Sequence, residues 1–185
     1  MTQRRWALFL SGRGSTAQSA LDLCSQVDIR LVVSSKPTAA GLLRAKRSGV
    51  STLLLDKNVN WSQLTLDLKS RGITHIFLLG FMKLLPQQFC QEWQGRIWNI
   101  HPSLLPAYPG LHAIENSYKD QAPMGVTIHE VIPEMDAGPI VYQKKVYQSD
   151  RNHRLDFSEI QLLMSATERR LIGELVIQKE RGVSC

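Results

Sequence analysis

Apolar residues fall along this chain in short continuous runs, separated by longer stretches with helical spacing. Trp6-Ala-Leu-Phe-Leu10 is one such run and predicts a buried strand. It stops at Ser11-Gly-Arg-Gly-Ser15, after which Thr16 is expected to cap a helix running through Ala20 to Cys24. Ile29 to Val33, rich in β-branched residues, predicts a second strand. Gly41 to Ser48 reads as a helix closed by Gly49. Val50 to Leu55 predicts a third strand, and Trp61, Leu64, Leu66 and Leu68 a helix that ends near Gly72. Ile73 to Leu79 and Arg96 to Ile100 predict a fourth and a fifth strand.

Alternating strands and helices imply parallel strands joined by helical crossovers. Strands that are apolar throughout fit a sheet covered on both faces. The pattern changes in the second half. Gly125 to Val131 and Ile140 to Val146 are strand-like and are joined by the turn-rich segment Ile132 to Pro139, as in an antiparallel addition. A last helix is expected from about Ser158 to Lys179, its apolar stripe carried by Ile160, Leu163, Met164, Leu171, Leu175 and Val176. The expected fold is α/β: a Rossmann-like open twisted sheet, mostly parallel with an antiparallel C-terminal addition, helices on both faces. Ligands bind such sheets beyond the carboxyl ends of the strands.

Composition adds bounds to this picture. The chain has 185 residues, which suits a single domain over 1–185 with a real core. Its 43% hydrophobic and 21% charged residues are ordinary for a globular protein. The opening apolar run of five residues is too short for a signal peptide or a membrane span, so a cytoplasmic protein is expected. Cys24, Cys90 and Cys185 form neither a disulfide framework nor a metal-ligand spacing, and no metal is expected. The net charge of +6 is spread along the chain. Its local excess at Arg169, Arg170, Lys179 and Arg181 is interrupted by Glu168, Glu174 and Glu180, as on a solvated helix face. No nucleic-acid motif is present, and neither nucleic acid nor membrane is an expected partner.

Three stretches can carry chemistry. Ser11-Gly12-Arg13-Gly14-Ser15 joins a strand to a helix, where backbone N–H groups and the helix dipole favour an anion. Arg13, Ser15 and Thr16 add donors. The stretch matches neither the dinucleotide glycine pattern nor a P-loop, and an ordinary tight turn explains it equally well. Trp98-Asn99-Ile100-His101-Pro102-Ser103-Leu104-Leu105-Pro106 follows the fifth strand. On extended chain Asn99 and His101 point the same way. An amide there can donate to a developing oxyanion, and an imidazole can move a proton. A capping Asn beside a loop His is the plainer alternative. Met135-Asp136-Ala137-Gly138-Pro139, with His129 upstream, supplies a carboxylate that would orient His101 and raise its pKa, or that merely serves a turn.

Read together, Asn99 to Pro106, Tyr108-Pro-Gly-Leu-His112, Gly125-Val-Thr-Ile-His129 and Met135 to Pro139 resemble the folate-dependent formyltransferases. Within that family the text is most similar to the branch that formylates phosphoribosylglycinamide. The likeness extends to Ser11–Ser15 and to Gly80-Phe-Met-Lys-Leu-Leu85. It implies transfer of the formyl group of 10-formyltetrahydrofolate, a cosubstrate, to the amine of 5'-phosphoribosylglycinamide in de novo purine biosynthesis. It implies small-molecule partners only: the reduced folate and a phosphorylated amine.

The resemblance assigns Asn99, His101 and Asp136 as catalytic. It puts the acceptor on Gly12, Arg13, Gly14, Ser15, Thr16 and Glu168. It puts the folate on Met82, Lys83, Leu84, Leu85, Asn99, Glu134 and Met135. Thr16 stands where glycinamide enzymes usually carry Asn, and Lys83 where they carry Arg, which keeps the charge without the planar fork. Lys57 to Gln63 has no match to the family's folate-contacting Arg. The same chemistry serves other amines in this family, amino-sugar nucleotides among them. A paralogue that binds folate without turnover is the alternative from outside enzymology, and water in place of the amine would make a hydrolase.

Overall fold

The first apolar run becomes strand β1 (Arg5–Leu10), and its alternation divides the core. Trp6, Leu8 and Leu10 pack on one face of the sheet, while Ala7 and Phe9 pack on the other. The structure, a computed structural model, describes residues 3–12, 14–23, 26–148 and 155–180, the last six of these by their backbone alone. Arg13 and Cys24 lie outside the described residues.

The remaining elements follow in the expected alternation: α1 (Ser15–Leu21), β2 (Asp28–Ser34), α2 (Ala40–Arg47), β3 (Ser51–Leu54), α3 (Trp61–Ser70), β4 (His75–Leu78), α4 (Gln87–Glu92), β5 (Ile97–His101), α5 (Ala113–Lys119), β6 (Met124–Glu130), β7 (Ile140–Tyr147) and α6 (Phe157–Glu180). One seven-stranded sheet runs in the order β3-β2-β1-β4-β5-β6-β7. The pairs from β3 through β5 are parallel, whereas β5–β6 and β6–β7 are antiparallel. The chain leaves β1 toward one edge and returns to build the other from β4. The switch point between β1 and β4 opens a crevice at their carboxyl ends.

Helices α1, α2 and α6 cover the Trp6 face, burying Ala17, Leu21, Ala45, Ile160, Met164 and Leu171. Helices α3 and α4 cover the other through Leu64, Leu68 and Phe89. Phe77 is fully buried, and truncating such a ring to alanine costs about 3–5 kcal/mol.

Two expectations change. Thr16 does not cap α1. Gly14 takes that position with φ 68, and no side chain caps the helix. A Cβ at Gly14 would sit 2.6 Å from the Gly41 Cα, so close backbone packing and the left-handed φ both demand glycine and close the turn early. Helices α4 and α5 were not expected. With six and seven residues they are too short to display an apolar period.

Candidate active site

Asn99 and His101 occupy alternate positions at the carboxyl end of β5 and share a face. The antiparallel register sets His129 of β6 beside Asn99, and Thr127 beside His101. Thr127 then fastens the loop that follows His101. Its hydroxyl donates to the Ser103 carbonyl at 2.7 Å and accepts from the Leu105 N–H at 3.2 Å.

The turn between β6 and β7 brings in Asp136, whose backbone is left-handed at φ 51. Two features hold the turn in place. The Gly110 N–H donates to Asp136 Oδ2 at 2.7 Å. Gly138 lies against β6 so closely that a Cβ there would collide with the Glu130 carbonyl oxygen.

The Asp136 carboxylate sits between two imidazoles. Its Oδ2 is 3.4 Å from His101 Nδ1, and its Oδ1 is 3.4 Å from His129 Nε2. The far nitrogen of each ring meets a main-chain carbonyl: His101 Nε2 lies 2.8 Å from the Tyr108 oxygen, and His129 Nδ1 lies 2.9 Å from the Glu130 oxygen. A carbonyl only accepts, so both far nitrogens carry hydrogen. The nitrogens that gain and lose protons are therefore His101 Nδ1 and His129 Nε2, the two that face Asp136. Burial alone would raise the Asp136 pKa. The His129 hydrogen bond, the Gly110 N–H and the charges of His101 and His129 outweigh it and hold the carboxyl below its usual range.

These groups line one cavity of about 680 Å³, a volume suited to a small-molecule ligand. The structure brings most of the sequence-assigned residues to its wall: Asn99, His101 and Asp136; Met82, Lys83, Leu84 and Leu85; Glu134 and Met135; Thr16 and Glu168. Gly12, Gly14 and Ser15 are described but stay off that wall, and among the described residues of this stretch Thr16 alone reaches it. The mouth is apolar on both sides, with Met82 63%, Leu84 76%, Leu111 71% and Met135 56% exposed, a rim that fits a flat, largely apolar ring system. Ser11 ties one side of the rim to β1, since its hydroxyl accepts from the Met82 N–H at 2.9 Å and lies 2.6 Å from Ser35 Oγ. Lys83 Nζ is drawn aside onto the Lys57 carbonyl at 2.8 Å.

Glu168 departs from the solvated helix face expected of it. It lines the cavity on α6, partly buried, and accepts from Thr16 Oγ1 at 3.5 Å. Burial pushes its carboxyl up to about 7 against the pull of Thr16 and Arg169. Arg170 and Glu174, by contrast, do form an exposed ion pair, Nε to Oε1 at 2.6 Å. The residue that sequence reasoning left without a role is His129. Alternation along β6 puts it on the same face as Thr127, but its pairing with Asn99 depends on strand register. Gly110 and the Tyr108 carbonyl enter the site through main-chain atoms, which leave no side-chain signal. Among the described residues no group of three His, Cys, Asp or Glu side chains is disposed to hold a metal ion.

Sheet and site together define an α/β fold with a ligand-sized cavity at the carboxyl end of β5. The family model described as formyl transferase matches residues 4–157. The chain belongs to the formyl transferase family. It is 36% identical over 156 residues to the phosphoribosylglycinamide formyltransferase of Escherichia coli (strain K12), covering 75% of this chain and 71% of that one. It is 38% identical over 160 residues to the trifunctional purine biosynthetic protein adenosine-3 of Drosophila melanogaster, covering 78% of this chain and 12% of the fly protein. The crystal structure of phosphoribosylglycinamide formyltransferase from Anaplasma phagocytophilum superposes with a TM-score of 0.87 at 31% identity, covering 98% of this chain and 89% of that one. No helix among the described residues is long and apolar enough to cross a membrane.

Proposed function

We propose that this chain, acting as one domain over 1–185, transfers the formyl group of 10-formyltetrahydrofolate to the amine of 5'-phosphoribosylglycinamide. The reading places it in purine biosynthesis, in the cytoplasm, with small molecules as its only substrates. The observation that carries it is the convergence of Asn99, His101 and Asp136 on one cavity wall, in a chain of this family, with Asp136 Oδ2 3.4 Å from His101 Nδ1.

The acceptor amine attacks the formyl carbon and a new C–N bond forms, while the formyl oxygen becomes an oxyanion. Asn99 and protonated His101, held by Asp136, stabilise that charge; one such donor is worth about 100–1000-fold in rate. Collapse of the intermediate breaks the bond from the formyl carbon to N10 of the folate. The proton lost by the attacking amine ends on N10, relayed by a water in the cavity.

Met82, Leu84, Leu85 and Met135 offer apolar contact to the folate rings, with Lys83 and Glu134 beside them. Thr16 and Glu168 face the acceptor, with Gly12, Arg13, Gly14 and Ser15 as the phosphate loop. A Glu168 carboxyl that is half protonated near neutral pH both donates and accepts, which suits the amide end of glycinamide.

The test follows tetrahydrofolate release from 10-formyltetrahydrofolate with glycinamide ribonucleotide, with amino-sugar nucleotides, and with no acceptor. Release that depends on glycinamide ribonucleotide supports the proposal. Release only with an amino-sugar nucleotide moves the enzyme to another acceptor, and release without acceptor makes it a hydrolase. No release under any condition overturns the reading in favour of a binding protein.

A further inference from the structure

We infer that His129 decides which end of the Asn99 amide faces the cavity, and that only its protonated form presents an N–H to the reacting formyl group. The inference rests on the proposed formyl transfer for its catalytic meaning, but the switch itself follows from hydrogen-bond polarity.

Nδ1 of His129 is committed to the Glu130 carbonyl at 2.9 Å and keeps its hydrogen in either charge state. Everything variable about the ring lies at Nε2, which is 3.1 Å from the Asn99 amide and 3.4 Å from Asp136 Oδ1. When Nε2 is a bare lone pair, it accepts from the Asn99 NH2 group. The second amide hydrogen then points at Asp136 Oδ1, also 3.4 Å away. Both donors of Asn99 are consumed. The amide's other end is then a carbonyl oxygen, with no hydrogen-bond partner among the described residues, on a side chain that lines the cavity. A carbonyl oxygen there repels an oxyanion.

Protonation inverts this. An Nε2–H cannot face an NH2 group, since both are donors. Rotation about the terminal Asn torsion, which has two broad wells, sets the amide oxygen on Nε2–H and turns NH2 into the cavity. His129 Nε2–H then also points at Asp136, so the carboxylate keeps a donor on Oδ1 while Gly110 and His101 serve Oδ2. The charged or titratable groups facing this ring are Asp136 from the β6–β7 turn and, beyond it, His101 from β5. Its β7 partner is the apolar Ile140. His129 is thus a positioning residue acting through Asn99.

The direct test is a pH titration of the unmodified protein, labelled with 15N, that follows the His129 ring nitrogens and the Asn99 side-chain amide by NMR. The Asn99 amide signals are expected to move with the midpoint of His129 Nε2, and to do so still in His101→Ala. An Asn99 amide that stays fixed through the His129 transition, or that follows His101 instead, overturns the inference.

Kinetics supply a second arm. His129→Leu, with His129→Gln as the polar control, is expected to lower kcat on the order of 100-fold with the KM for the folate little changed. In an Asn99→Ala background the same changes are expected to cost less than about threefold, because the group they act through is gone. Equal losses in both backgrounds overturn the inference. Absence of formyl transfer by the unmodified protein refutes the proposed function instead, and the titration still judges the switch.

Discussion

The two ends of the sheet bury titratable groups in opposite ways. At the carboxyl end, Asp136 receives two imidazoles and a backbone N–H, and charges of unlike sign converge. At the amino end, His75 lies among like charges. It packs against Trp6, with ring centroids 5.1 Å apart, and edge-on to Trp98 at 6.5 Å. Arg4 lies over the Trp98 ring at 5.4 Å. Burial, with Arg4 and Arg96 nearby, lowers the His75 pKa to about 4, so the ring is a neutral packing element at neutral pH. The same side-chain type therefore meets a carboxylate at one end and packs among aromatic rings at the other. The difference lies in the surroundings: a carboxylate faces the rings at one end, whereas burial, with neighbouring cations, expels the proton at the other.

The largest effect is expected from breaking the charged centre. Asp136→Asn and His101→Ala are each expected to lower kcat on the order of 1000-fold or more, while circular dichroism shows the fold intact. Activity near that of the unmodified protein in either folded variant would refute the assigned roles.

Next in size is Glu168, the carboxyl-end group with too few partners. Its folded pKa is raised from 4.5 to about 7. Between those values the unfolded chain has released the proton that the folded chain still holds, so stability falls as pH rises through the window. The shift corresponds to about 3 kcal/mol at most. Glu168→Gln is expected to raise the urea midpoint at pH 8 and to leave it nearly unchanged at pH 4, at the cost of a higher KM for the acceptor. An unchanged midpoint at pH 8 would show that the site solvates this carboxylate.

His75 has the opposite sign. Its folded pKa is depressed from 6.5 to about 4, so the unfolded chain binds a proton first as pH falls, and stability drains between those values. Because the ring is only partly buried, about 1–2 kcal/mol is expected. His75→Phe should flatten the denaturation midpoint against pH in that window without changing kcat. A fall in kcat would break the division of labour between the two ends.

The smallest effect belongs to α6's outer face. Arg170→Ala removes an exposed ion pair with Glu174 and is expected to change stability by less than about 0.5 kcal/mol in a urea melt.

Some of this was legible along the chain. Runs such as Trp6–Leu10 and Ile29–Val33 mark strands buried on both faces, because the apolar pattern that buries a strand is local. The antiparallel β6 and β7 were legible for the same reason. The resemblance of Asn99–Pro106 and Met135–Pro139 to the formyltransferases pointed to a family that the chain indeed belongs to. Helices α4 and α5 were not legible, since six or seven residues make fewer than two full turns of pattern. Charge pattern alone set Glu168 on a solvated helix face and the resemblance put it on the acceptor; the approach of Thr16 from the first turn of α1 is what only the structure shows.

By itself, then, the amino-acid sequence determined the α/β alternation and the sheet's buried strands, because these depend on side-chain type and near-neighbour spacing. Tertiary structure alone decided that Asn99 pairs with His129, that Asp136 lies between two imidazoles, and that two backbone carbonyls fix which ring nitrogens can exchange protons. Strand register joins Asn99 to His129, 30 positions on, and turn closure brings Asp136 to Asn99, 37 positions on, and no local pattern encodes a distance across a sheet.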